Sequence, residues 1–305
     1  MFNLIEEKDK YLVACKSMKG LSNLTLKAYK IDLKQFCDFM NGRDGFDKNE
    51  LNSYINMLHR LYKPKSAKRK IACIKAFYRY MEIEDIVEFN PFHKIILKYK
   101  EPIKLPRTIP LNCIQDMLTY AYKQHSIAVT KYQKEVTLRN IVVLELLFST
   151  GMRVSEVSNL KISAINLRDN TIRIFGKGSK ERIMCISNDL SKMIGNYLTV
   201  CSYKSNYLFV NRLGNRLSEQ SIRHMVNDYA NAVGAPLHIT PHMFRHTFAT
   251  ELHNEDVDIR YIQQFLGHSS IATTQIYTHI STSKTREILE SKHPRNKMNL
   301  SFHNT

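Results

Sequence analysis

The sequence predicts a mainly α-helical, two-domain protein with a small antiparallel β-sheet in its second half, an α+β arrangement. Three observations predict it. The 305 residues suffice for about two domains of ~150 residues each. Apolar residues recur at helical spacing on both sides of one unpatterned, proline-bearing stretch, KYKEPIKLPRTIP (98–110). Only between Ala164 and Ile186 does the apolar pattern turn to strand-like alternation.

Residues 1–97 read as a helical domain. After Leu21-Ser22-Asn23, Leu26, Tyr29, Leu33, Phe36 and Met40 recur at three- and four-residue steps and share one helical face. The cluster Asn41-Gly42-Arg43-Asp44-Gly45 ends that helix. A further helix starts after Asp47 and carries Leu51, Tyr54, Ile55 and Leu58. Next come Arg60, Lys63, Lys65, Lys68, Arg69 and Lys70, six basic residues in eleven positions with no acid among them. Ile71, Ile74, Phe77 and Tyr78 continue at helical spacing. A cationic helix start running into an apolar stripe can face a phosphate backbone while the stripe docks on its own domain. A merely solvated charged face usually intersperses acids. Lys63, Lys65, Lys68, Arg69 and Lys70 are therefore candidate nucleic-acid contacts.

Asn90-Pro91 closes the helical region. Residues 98–110 form a basic linker whose prolines favour extended backbone, and Lys104 and Arg107 within it are further candidate contacts. The second domain spans 111–293, with helices expected at 111–123 and about 136–149. Short strands follow: AINL, the turn Arg168-Asp169-Asn170, TIRIF, the turn GKGSKE, and RIMCI. Helices resume at roughly 188–200, 217–232, 241–254, 257–266 and 270–289. A polar tail, 294–305, ends the chain.

Composition narrows the function. Lys and Arg total 45 against 28 Asp and Glu, a net charge of +17, which favours a polyanionic partner because each neutralised phosphate releases condensed counterions. No run of about 18 apolar residues exists to span a membrane. The first residues, MFNLIEEKDKYLVACK, lack the basic start and apolar core of an export signal. Cytoplasmic location follows as the expectation. The six cysteines are scattered without a CxxC pair, so reduced thiols are expected rather than disulfides or a zinc site.

Four segments hold polar residues that make little sense as packing. In Ser149-Thr150-Gly151-Met152-Arg153-Val154-Ser155-Glu156, a Thr-Gly break sets Arg153 at a helix junction with Glu156 placed to orient it. Lys177 lies at a turn tip between Gly176 and Gly178, which allow close backbone approach to a ligand. In Thr240-Pro241-His242-Met243-Phe244-Arg245-His246, Thr240 and Pro241 start a helix whose His242 and Arg245 are three apart on one face. His242 and His246 lack the acid and third ligand of a zinc site. In Leu266-Gly267-His268-Ser269-Ser270, His268 occupies a helix junction, with Tyr277 nine residues on. Together they supply what phosphodiester transesterification needs without metal or cofactor. Guanidinium forks stabilise a five-coordinate phosphorane, a lysine or histidine protonates the leaving oxygen, and a phenol attacks.

The segments TGMRVSE, FGKGSKER, TPHMFRHTFAT and LGHSSIATTQIYTH resemble, in order and spacing, the tyrosine recombinase (phage integrase) family, and its compact Xer-type members most closely. The likeness covers nearly the whole chain, and LTLKAYKIDLKQFCDFM is similar to that family's N-terminal core-binding domain. The resemblance implies that Arg153 and Arg245 clamp the scissile phosphate, Lys177 is the general acid, His242 assists proton transfer, His268 supports the phosphate, and Tyr277 is the nucleophile of a 3′-phosphotyrosyl intermediate. It implies two domains closing as a C-shaped clamp on double-stranded DNA at specific recombination sites. A homotetramer exchanging strands through a Holliday junction is implied too, with a C-terminal tail docked on a neighbouring subunit and a possible accessory factor. Phe302 is a plausible anchor for that tail, so removing 295–305 is expected to impair synapsis while sparing single-site binding. KQHSIAVTKYQKEVT (123–137) departs from compact members as a longer loop or a contacting insertion. Integration or excision of a mobile element and Xer-type dimer resolution both remain open. The alternatives are a type IB topoisomerase-like strand transferase and a non-catalytic DNA-binding protein of the same fold.

Overall fold

The computed structural model describes residues 3–18, 20–41, 43, 45–95, 107–175, 181–267 and 282–298. The chain divides into two compact units, Met1–Lys104 and Leu105–Thr305, each with its own apolar core.

Among the described residues, four helices build the first unit: α1 (Leu4–Ser17), α2 (Asn23–Met40), α3 (Lys48–Leu61) and α4 (Pro64–Ile83), followed by a 3-10 turn at Pro91–Lys94. Side chains of Asn3, Ser22 and Asp47 accept from backbone N–H groups of the first turns of α1, α2 and α3, and Pro64 starts α4. Leu33, Phe36 and Met40 of α2 are buried with Leu51, Tyr54, Ile71, Ile74, Phe77 and Tyr78, while Leu26 and Tyr29 flank them half-buried.

The basic run at the start of α4 corrects the sequence expectation. Lys70 is only 4% exposed; its Nζ donates to Asp32 Oδ1 at 2.9 Å and to Gln35 Oε1. Arg69 forks onto the same fully buried carboxylate, with Nη2 3.0 Å from Oδ1. The acid missing from the run arrives from α2. A buried carboxylate needs such partners, so Lys70 is withdrawn as a phosphate contact and Arg69 is largely committed. Lys63, Lys65 and Lys68 have exposed side chains, as does Arg107; Lys104 lies outside the described residues.

The second unit is built on α6 (Lys131–Thr150), whose residues from Ile141 to Thr150 are all buried. Around it lie α5 (Leu111–Ser126), α7 (Val154–Ser158), α8 (Asn188–Val200), α9 (Glu219–Ala232), α10 (Pro241–Asn254), α11 (Ile259–Leu266) and α12 (Thr282–Lys292). An antiparallel sheet, ordered β1 (Ile165–Asn166), β2 (Thr171–Phe175) and β3 (Glu181–Cys185), completes it. Residues 176–180, with Lys177, lie outside the described residues.

Two boundaries shift for reasons of capping: Ser218 and Asp258 each accept from the first turn, starting α9 at 219 and α11 at 259. The 123–137 segment is not one long loop. Helix α5 runs on to Ser126, and a capping box between Thr130 and Gln133 opens α6 at Lys131.

The C-terminal expectation also changes. The folded unit continues to Met298, which is buried, through a 3-10 turn at Pro294–Lys297. Arg295 Nε donates to both oxygens of buried Glu145, at 3.1 and 3.2 Å. Apolar burial and this ion pair tie 294–298 to α6, so a detachable tail cannot begin at 294; Phe302 lies outside the described residues. Removal of 293–305 breaks a buried pair costing ~3–5 kcal/mol and is expected to lower the melting temperature by about 10 °C. Scanning calorimetry of the truncation beside the full chain would read the loss.

His293 makes the same junction pH-sensitive. Its Nε2 bonds the Ser149 carbonyl at 2.7 Å, and its Nδ1 accepts the Arg295 N–H at 2.9 Å, so the ring is neutral with the proton on Nε2. Burial lowers its pKa from 6.5 to about 4. The unfolded chain therefore binds a proton that the folded chain rejects, and stability falls as pH drops from about 6.5 to about 4, by up to ~3 kcal/mol. Denaturant titrations are expected to show this loss, and His293→Gln to flatten it.

Candidate active site

Thr150 and Gly151 end α6. Gly151 adopts φ +58°, and a Cβ there would lie 2.6 Å from Phe248 Cδ1, so only glycine allows both the left-handed turn and the close approach of α10. That turn releases Arg153 as the N-cap of α7. Glu156 accepts the Arg153 backbone N–H at 2.9 Å through Oε2 and Arg153 Nη1 at 2.9 Å through Oε1. Arg153 keeps 37% of its side chain exposed. Burial alone would raise the Glu156 pKa, but the Arg182 and Arg153 guanidiniums outweigh it and hold the carboxyl below its ordinary range.

Arg245, on α10, is 3% exposed. Its Nη1 donates to the Gly151 carbonyl at 2.9 Å and its Nη2 to the Leu266 carbonyl at 2.6 Å. Among the described residues no carboxylate bonds to it. Burial first, then the Arg153 charge, pushes its pKa down to about 10, which leaves it charged at neutral pH. A buried cation bound only by carbonyls is costly, and it lies within electrostatic reach of Arg153, Glu156 and Arg182. Three guanidiniums against one carboxylate leave two net positive charges, the electrostatics of an anion site.

His242 is exposed on the first turn of α10, where Pro241 occupies the start and Thr240 makes no side-chain cap bond. Its Nε2 lies 3.0 Å from His246 Nε2. Burial, His242 and Arg245 lower the His246 pKa, favouring the neutral ring. Thr247 accepts the Ile109 N–H at 2.8 Å, pinning the entry of the unit to α10. Gly267 closes α11 at φ +61°. His268 and Tyr277 lie outside the described residues, as does the part before 282 of the helix expected at 270–289.

Arg153 and Arg245, 92 positions apart in sequence, thus meet through the Gly151 turn. The sequence reading missed Arg182. Its Nη1 and Nη2 fork onto Glu156 at 3.0 and 2.8 Å, and its Nε donates to the Phe265 carbonyl at 2.8 Å. The signal was available: Arg182 shares the alternating face of Met184, and a charge on a core-facing strand position requires a partner.

Residues 108–284 match the phage integrase family, and residues 9–85 match the phage integrase N-terminal SAM-like domain. The chain belongs to the phage integrase family. A tyrosine recombinase of Agathobacter rectalis is 50% identical over 301 residues, covering 97% of this chain and 98% of that one. The tyrosine recombinase XerC of Staphylococcus aureus is 34% identical over 302 residues, covering 95% and 97%. The XerH site-specific recombinase, solved on a palindromic difH substrate after cleavage, shares the fold at TM-score 0.69 and 23% identity, over 92% of this chain and 83% of that one. A lambda integrase dimer on a COC′ core site shares it at TM-score 0.68 and 15% identity, over 100% and 81%. This phage integrase family member therefore carries an N-terminal SAM-like unit and a catalytic-type unit, and no helix among its described residues is long and apolar enough to cross a membrane.

Proposed function

We propose that this chain is a site-specific DNA recombinase that breaks and rejoins strands through a 3′-phosphotyrosyl ester. One observation carries the reading: among the described residues Arg245 is a buried guanidinium bonded to carbonyls and to no carboxylate, next to the half-exposed Arg153. Such a pair suits a phosphodiester, whose non-bridging oxygens accept guanidinium forks and gain charge in the transition state.

In the proposed reaction the Tyr277 phenolic oxygen attacks phosphorus and loses its proton to a neighbouring base, with His242 assisting. The bond from phosphorus to the 5′ oxygen breaks, and the Lys177 ammonium protonates that oxygen. Arg153, Arg245 and His268 hold the phosphate throughout. The ester conserves the bond energy, so a 5′ hydroxyl from a partner duplex can reverse the step without ATP, metal or cofactor. Lys63, Lys65, Lys68 and Arg107 supply backbone-tracking charge that is indifferent to base sequence. The working assembly is a homotetramer on two duplex sites in the cytoplasm, each chain closing its two units on DNA.

The test is covalent capture of the wild-type protein on a library of nicked duplexes, followed by sequencing of the bound DNA. Denaturant-resistant adducts converging on one sequence are expected. No adduct from any duplex overturns the reading. Recombinant products from two differently labelled duplexes are expected as well; closure of nicks without exchange would assign topoisomerase-like chemistry instead.

A further inference from the structure

We propose that Arg182 is a positioning residue for Arg153: it fixes the Glu156 carboxylate so that Arg153 spends one nitrogen on that acid and keeps the rest of its fork for the anion site. This inference rests on the reaction proposed above. Antiparallel pairing sets Arg182 opposite buried Ile174, which turns its side chain to the inner face of the sheet, where it is 10% exposed. From there its three bonds join separate parts of the site.

Glu156 receives four donors, two on each oxygen. Oε1 takes Arg153 Nη1 at 2.9 Å and Arg182 Nη1 at 3.0 Å; Oε2 takes the Arg153 N–H at 2.9 Å and Arg182 Nη2 at 2.8 Å. The carboxylate is thereby filled. Arg182 holds the bidentate geometry, so Arg153 reaches only one oxygen through one nitrogen. Without Arg182, the same carboxylate is available to fork onto Arg153, neutralising it and drawing it from the phosphate. The third bond, Nε to the Phe265 carbonyl at 2.8 Å, links this arrangement to Arg245, which holds the adjacent carbonyl of Leu266. These carbonyls end α11, where helix geometry leaves carbonyls unpaired and the dipole is negative. One helix end thus sets two guanidiniums in register.

A purely structural ion pair predicts something different, and a double-mutant cycle separates the two. On nicked duplexes recovered with wild-type protein, Arg182→Gln is expected to slow single-turnover cleavage about 100-fold, the scale of a misplaced reacting group. Duplex affinity should stay within about threefold. Arg182→Lys keeps the charge but lacks the fork and is expected to recover only part of the rate. In an Arg153→Lys background, Arg182→Gln is expected to cost less than about threefold, because its effect passes through Arg153. Equal losses in both backgrounds, parallel losses of affinity and melting temperature, or no loss at all would overturn the proposal. If wild-type protein yields no adduct, the recombinase reading fails by itself. Positioning is then read from titration with inorganic orthovanadate, a phosphate stand-in: Arg182→Gln should weaken its binding about tenfold or more, and unchanged affinity would overturn it.

Discussion

Tyr277→Phe is expected to lower covalent adduct formation by at least about four orders of magnitude, as loss of a nucleophile does, while duplex binding stays near wild type. The phenylalanine ring keeps the apolar body and deletes only the oxygen that would bond to phosphorus. Electrophoresis of an end-labelled nicked duplex under denaturing conditions reads the adduct, and a native gel on the same samples reads binding. Persistence of adducts would move the nucleophile elsewhere. Three buried tyrosines of the second unit are poorly suited: burial pushes the Tyr122, Tyr197 and Tyr229 hydroxyls above their ordinary pKa, and Tyr122 already donates to Glu145. Attack requires a phenol that can lose its proton while facing DNA.

Arg245→Lys is expected to cost about 10³-fold in cleavage, the scale for losing a preorganised oxyanion donor, with duplex affinity changed less than about threefold. An ammonium cannot span the Gly151 and Leu266 carbonyls and still present a planar edge to phosphate. The residual activity should also acquire a pH dependence. Burial beside Arg153 and Arg182 lowers the pKa of a cation at this position, as it lowers that of Arg245 to about 10. Lysine starts lower than arginine, so the variant loses its charge, and with it activity, as pH rises through a range where wild type stays protonated. Single-turnover rates across alkaline pH would show a falling limb for the variant. Rates that are pH-independent and near wild type would remove Arg245 from the clamp.

The residues legible in the sequence share one property: their roles arise within a few positions. Gly151 and Gly267 end helices at left-handed φ, and Glu156 reaches Arg153 across three residues. Ile172 and Ile174 alternate inward while Arg173 faces out. The errors cluster where the partner is remote. The basic run from Arg60 to Lys70 contains no acid, yet Asp32, 38 positions before Lys70, claims two of its cations. The polar sequence from Pro294 reads as a tail, yet Arg295 pairs with Glu145, 150 positions earlier.

By itself, then, the amino-acid order determined the helical and strand periods, the turns that interrupt them and the chemical inventory of four short segments, because backbone geometry fixes which near neighbours share a face. Tertiary structure alone decided which charges remain available. Burial makes an unpaired ion costly enough that each one takes whatever partner packing brings within about 3 Å. By that rule Lys70 and Arg182 are taken up by carboxylates from other elements, while among the described residues Arg245 is bonded to the Gly151 and Leu266 carbonyls.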